Sequence, residues 1–232
     1  MTMYARGPST GARVVAETDK FVSWIAHPDE TGERASHAIR TDGGVWVLDP
    51  LDAPEVDRLI DSLGEVVGVA VLSAYHARDA EELARRHDVA VHLPTWMDRV
   101  EARVAAPVER YTLAPSPAFR VLPCRPFPGW QEVFLYHEPS GTLVSPDSLG
   151  TAGPFLVGDE RLGLGTFRRL QPPTQLSGLG PETVLVGHGE PVTDGAGRAL
   201  DRALDGARGT FPKVVLANGV DGTRAILAAL QD

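Results

Sequence analysis

Short apolar runs that stop on a polar residue, each followed by a helical stretch, restrict this chain more than any other feature. "GGVWVLDP" sets Val45, Trp46, Val47 and Leu48 in succession before Asp49. Successive side chains of a strand point to opposite sides, so such a run is buried on both faces and needs a layer above and below it. "APEVDRLIDSL" follows with Val56, Leu59, Ile60 and Leu63 at helical spacing. The strand "VVGVAVLSA" and a helix from about Asp79 repeat the unit, with Asp79 and Glu82 placed as in a capping box. "VAVHLP" and "TWMDRVEARV" then predict another strand and a short helix.

"ARVVAET" and "KFVSWIAH" predict an opening pair of strands, and "HAIRT" pairs with "GGVWVLDP" as a hairpin. The second half is richer in strands: "VERYTL", "AFRVLP", "EVFLYHE", "GTLVS" and "ETVLVGHGEP", with "EPSG" a turn by composition. "DGAGRALDRALDGARG" predicts a helix with Asp194 near its start and Gly209 just past its end, and "DGTRAILAALQ" a second, closing helix. Strands followed by helices, twice over, predict an α/β (α+β) fold of two sheets packed face to face with helices outside. A doubly wound parallel sheet is the other arrangement the pattern admits. With 232 residues, 43% of them apolar, and no Ser/Gly linker or repeat, the expectation is one domain over residues 1–232.

The formal charge of −9 and the scattered cations, with lysine only at Lys20 and Lys213, argue against a nucleic-acid partner. Cys124 is the single cysteine, which leaves no intramolecular disulfide and no thiolate zinc cluster. The opening "MTMYARGPSTGARVV" has no apolar region of signal-peptide length, and no run approaches the roughly 20 apolar residues of a membrane span. The expectation is a cytoplasmic protein without a membrane partner; nothing in the sequence speaks to its oligomeric state.

Three apolar strands exit onto a polar residue flanked by small or turn-forming ones. "VAVLSAYH" delivers His76, "GTLVSPD" delivers Asp147 and "ETVLVGHG" delivers His188. Two histidines and a carboxylate are a known ligand set for a catalytic zinc with one open position. Each has a plainer reading. A strand-end histidine is usually a hydrogen-bonded surface residue, and an aspartate after proline suits an Asx turn. His188 between Gly187 and Gly189 carries the stronger signal, because paired glycines mark special backbone angles or a close approach. His27, His37, His87, His92 and His137 are read as structural or solvated.

Taken in order, these segments resemble the metallo-β-lactamase superfamily over most of the chain. "GGVWVLDP" is similar to the family's second core strand, which ends in aspartate. "VAVLSAYHARDAEELARRHDVAVHLP" resembles its strand, metal motif, helix and next strand; "EVFLYHEPSGTLVSPDSLG" its hairpin ending in the bridging aspartate; "TVLVGHGEPV" its last metal-ligand loop. The resemblance implies a four-layer αββα sandwich with a metal site at one edge. The family motif His-x-His-x-Asp-His, laid on "AYHARD", puts Ala74 and His76 on the first two histidines. It puts Arg78 on the aspartate and Asp79 on the last histidine. Pro126 of "RPFPGW" takes the place of a further histidine. Only His76, Asp147 and His188 hold the expected ligand type, so the implied site is degenerate.

Arg78 is always charged and cannot ligate a metal. About 5 Å from a dication, at an effective dielectric near 20, it repels by on the order of 6 kcal/mol. Paired with Asp147 and Asp79, it would replace the metal charge. A one-residue bulge after His76 would instead swing Arg78 out and bring Asp79 in, leaving His76, Asp79, Asp147 and His188 as candidate ligands for one metal. Asp79 as a mere helix cap is the plain alternative.

Two functions follow. The first is a metal-free or weakly metal-binding relative of the hydrolases, with no cofactor and a residual site of His76, Arg78, Asp79, Asp147 and His188. The second is a mononuclear zinc (or iron) hydrolase of a small ester, thioester or lactone using His76, Asp147 and His188. A metal-independent reaction with His76 as base and Asp147 orienting it is a third reading. No serine or cysteine nucleophile stands out, and Cys124 reads as a partly buried thiol. Tyr75 and Trp130 adjoin the site loops and are candidate walls of a pocket for a small molecule.

Overall fold

The computed structural model describes residues 2–229, with side chains described through residue 219. Strands β1 (Arg13–Glu17), β2 (Phe21–Ile25), β3 (Ala35–Thr41), β4 (Gly44–Leu48), β5 (Val66–Ala70), β6 (Val91–Pro94) and β7 (Val108–Tyr111) form one sheet in chain order. The sheet is antiparallel from β1 to β4 and parallel from β4 to β7. Next come β8 (Arg120–Cys124), β9 (Glu132–His137), β10 (Thr142–Ser145), a small ribbon of β11 (Leu149–Gly150) and β12 (Gly163–Leu164), and β13 (Thr183–Val186). The second sheet runs β13-β10-β9-β8, with β13 parallel to β10. Two sheets and an antiparallel first half exclude the doubly wound alternative.

Strand alternation builds the layers. In β4, Val45 and Val47 face outward and Trp46 and Leu48 face the other sheet; in β13, Val184 and Val186 face outward and Leu185 inward. The inner core joins Phe21, Ile39, Trp46 and Leu48 to Val133, Leu135, Val144 and Leu185. Over the first sheet lie α1 (Val56–Asp61), α2 (Ala80–Arg86) and α3 (Asp98–Glu101), burying residues such as Leu59, Ile60, Leu83 and Val100. Over the second lies α4 (Ala196–Ala229), through Ala199, Leu200, Ala203 and Ala207. The order helix, sheet, sheet, helix is the four-layer sandwich expected.

The predicted break at Gly209 is absent. Helix α4 continues through Gly209 and Pro212 and leaves helical angles only at Gly219, where φ is 37°. Ala207 and Val214, seven residues apart, are both fully buried, so one apolar stripe spans the supposed stop. Pro212 lies on the exposed face of the helix. Up to Ala229 the predicted closing helix is the stretch beyond this kink, with side chains outside those described, and positions 230–231 lie outside the described residues.

His37, expected at the start of a strand, sits inside β3 and ties the sheets together. Its Nδ1 lies 2.7 Å from Ser23 Oγ and its Nε2 3.0 Å from the Val186 carbonyl of β13. A neutral ring satisfies both, accepting from the serine and donating to the carbonyl. Burial drives the ring's pKa down from 6.5 to about 4, against the Val186 carbonyl, which raises it. The unfolded chain therefore takes up a proton before the folded one does, and stability falls as pH drops through that window. The stability difference between wild type and His37→Gln should narrow from pH 6.5 to 4, by up to about 3 kcal/mol, in denaturant titrations at stepped pH.

Candidate functional site

Parallel pairing aims four strand ends at one edge. Leu48 of β4 stands opposite Ala70 of β5, and Ser145 of β10 opposite Val186 of β13. Beyond these ends lie Asp49, the loop from Ser73 to Arg78, Asp147 and His188. Two cross-sheet bonds draw the β5 exit onto the second sheet: Ala74 N–H donates to Gln131 O (2.9 Å) and Val133 N–H to Leu72 O (2.8 Å).

The side chains form a buried ladder. His76 Nδ1 lies 2.8 Å from Asp49 Oδ2, and its Nε2 lies 3.0 Å from Asp147 Oδ1. His188 Nε2 is 3.3 Å from the same Asp147 oxygen, while its Nδ1 is 2.7 Å from the Gly32 carbonyl. Ser73 donates its hydroxyl to Asp147 Oδ2, and Asp49 Oδ1 accepts the Leu72 N–H at 2.7 Å. His76, Asp147 and His188 offer ligand atoms all within 4.8 Å of one another. The sequence-derived trio is brought together.

The Gly-His-Gly pattern has the cause expected of it. A Cβ on Gly187 would sit 2.1 Å from the Pro146 carbonyl, so only glycine lets the β13 exit close on the β10 exit. Gly189 has φ +96° and would strike Thr151 and Ala152. Asp49 and Arg78 also take left-handed backbone angles, φ 47° and 40°. For residues other than glycine such angles are costly, and they cluster where structure enforces function.

Arg78 points inward, which overturns the bulge that would have turned it out. Its Nη1 donates to the carbonyls of Ala35 (2.7 Å) and Asp49 (2.8 Å), and its Nη2 to Gly187 O (3.3 Å). The same Nη2 stands 3.2 Å from His76 Nε2. The expected pairing with Asp147 and Asp79 is not what holds it; among the described residues its bonds go to carbonyls. Asp79 is likewise corrected: it is outside the His76–Asp147–His188 group, and its Oδ2 accepts the Asp52 N–H at 2.8 Å. It occupies the N-cap position of α2 without a side-chain cap bond, because its carboxylate is turned to the neighbouring loop.

The electrostatics follow from this geometry. Burial and Arg78 push the His76 pKa down, but Asp147 and Asp49 outweigh them and raise it. Burial would raise Asp147; instead His76 and His188 hold it well below the usual carboxylate range. The ring thus lies between two carboxylates, with Arg78 Nη2 3.2 Å from its Nε2.

Asp147 is itself held from below. Glu132, fully buried, accepts the N–H groups of Asp147 (3.1 Å) and Ser148 (3.0 Å), the Ser148 hydroxyl, and Trp130 Nε1 at 2.9 Å. Burial, then Asp147, raises its pKa. Cys124 is buried and its thiol is pushed up to about 12, chiefly by burial, so it is no thiolate nucleophile. Sequence reasoning placed Ser73 beside the site, without a nucleophile pattern, and did not single out Glu132, Glu30 or Arg34. Glu132 stands at the head of a strand and Glu30 in a loop, and no local pattern distinguishes them from surface acids.

Over Asp147 and His188 lies a pocket of about 400 Å³ whose wall includes Tyr75 and Trp130, both expected there. No protein-family model matches the chain and no curated protein matches it. Solved structures do. The DIM-1 metallo-β-lactamase exposed to ceftazidime is 12% identical, with a TM-score of 0.56 over 87% of this chain and all of its own. TMB-1 is 12% identical (TM-score 0.56, 85% of this chain, 98% of that one). The metallo-β-lactamase from Hirschia baltica is 9% identical (0.56, 84% and 98%). The chain has the metallo-β-lactamase fold.

Within that fold, Asp49 is the post that orients His76; the sequence marked it only as the aspartate that ends a strand. Asp49→Asn leaves His76 with one carboxylate partner. NMR titration of the His76 ring should show its pKa lowered, and chemical denaturation should show a loss of about 2–3 kcal/mol.

Proposed function

We propose that this chain is a metallo-β-lactamase-fold protein that has lost most of the dinuclear ligand set and works metal-free or with weakly held metal. Arg78 supplies the fixed positive charge of the site. The observation that carries this reading is the Arg78 guanidinium, anchored on three backbone carbonyls with Nη2 3.2 Å from His76 Nε2. Asp49 and Asp147 bring two carboxylates to the ladder, and Arg78 brings a fixed positive charge beside them. A dication held by His76 would sit about 5 Å from the guanidinium, against repulsion on the order of 6 kcal/mol.

One observation favours a second reading, a mononuclear hydrolase. Nδ1 of each ring is tied to an acceptor, Asp49 for His76 and the Gly32 carbonyl for His188, and both Nε2 atoms turn to Asp147 Oδ1. Outer partners of this kind present imidazole nitrogens to a metal. The donor set fits one zinc or iron held by His76, Asp147 and His188, which when bound would acidify a water for attack on an ester, thioester or lactone.

Metal analysis of protein purified without chelator decides between them. The first reading expects substoichiometric zinc and iron, and at least about a tenfold gain in zinc affinity for Arg78→Ala, since a buried like charge has been removed. About one tightly held ion per chain, lost together with ester hydrolysis in His188→Ala, would establish the mononuclear hydrolase instead.

A further inference from the structure

The pocket above the ladder has a marked chemical bias. Its walls carry Tyr4, Tyr75, Phe127, Trp130, Phe155 and Phe167; among the described residues Asp147 is the one acidic side chain lining it and neither lysine nor arginine does. Several walls are pinned in place. Tyr75 donates its hydroxyl to Gly129 O (3.0 Å), Trp130 donates Nε1 to Glu132, and Phe155 stacks on the His188 ring at 5.4 Å. Preset apolar walls with few polar groups are the common form of a small-molecule site.

The outer wall comes from the N-terminal segment. Thr31 and Gly32 donate their N–H groups to Thr2 O and Met3 O, both at 2.9 Å. Ala5 N–H bonds Glu30 Oε2 (2.9 Å), and Arg34 Nη2 bonds Ala5 O (2.8 Å). A Cβ on Gly32 would fall 2.3 Å from Tyr4 Cε1, so the missing side chain is the seat of the Tyr4 ring.

The floor selects the ligand's head. Arg78 directs its Nη donors to carbonyls and does not reach the pocket, and His76 lies beneath Asp147. Asp147 Oδ1 faces His76 and His188, and Oδ2 accepts from Ser73. A carboxylate has about four acceptor positions, so one remains open. His188, which also lines the floor, has its Nδ1 at the Gly32 carbonyl and its Nε2 turned to Asp147, so among the described residues the floor offers a ligand an open acceptor, which suits a donor.

We propose that this pocket binds an apolar, aromatic small molecule whose polar head is a hydrogen-bond donor, a protonated amine or a hydroxyl, directed at Asp147. The inference rests on the metal-poor reading, because a metal at Asp147 would reverse the preference and favour an acid head. The test is isothermal calorimetry with naphthylmethylamine, naphthylmethanol and naphthoate, on protein before and after dialysis against EDTA. On dialysed protein the amine and the alcohol should bind, with naphthoate at least about tenfold weaker. Phe167→Ala, at a rim residue 49% exposed, should weaken amine binding several-fold without disturbing the fold. Naphthoate binding best to dialysed protein, or none of the three binding, overturns the inference. Naphthoate binding best only before dialysis, with the amine preferred afterwards, overturns the metal-poor reading and leaves the donor-head preference standing.

Discussion

Parallel pairing of β4 with β5 and of β10 with β13 is the constraint on which the rim depends. Parallel strands end at the same edge, so Asp49 and the His76 loop leave the first sheet where Asp147 and His188 leave the second. Face-to-face packing then brings the two edges within hydrogen-bond reach. His37 and the bonds of Ala74 and Val133 across the sheets fix that approach. Slippage by one residue in either pair would invert which side chains face the inner core and carry the exit residues away from one another.

Charge balance is the second organising fact. Buried charges are tolerated when paired and hydrogen-bonded, and unpaired ones are expensive. Asp49, His76 and Asp147 are hydrogen-bonded to one another, and carbonyls of Ala35, Asp49 and Gly187 take both Nη groups of Arg78, while its buried Nε is left without a partner among the described residues. The buried Glu132 beneath Asp147 repeats the device one step further in, using backbone N–H groups, Ser148 and Trp130. A site built in this way holds its polar atoms still and presents an aromatic pocket with little charge of its own.

Much of the fold was legible because the strands write both faces into their sequence. The consecutive Val45–Leu48 run and the helical spacing of Val56, Leu59 and Ile60 led to the layers found. The stop at Gly209 was misread, since a glycine on an exposed face ends a helix only if tertiary packing does not extend past it. His76, Asp147 and His188 could be picked out as polar ends of apolar strands. Glu132, Glu30 and Tyr4 could not, because their partners lie far away in sequence and their neighbours look ordinary.

Sequence by itself determined the strands, their exits and the residue types at those exits, because hydrophobic period and glycine placement are local properties. Tertiary structure alone decided where side chains point. It turned Arg78 inward onto three carbonyls, turned Asp79 to the Asp52 amide, and set His76 between two carboxylates. Those outcomes depend on acceptors supplied by strands distant along the chain, and a charged group adopts whichever orientation satisfies it once the sheets have packed.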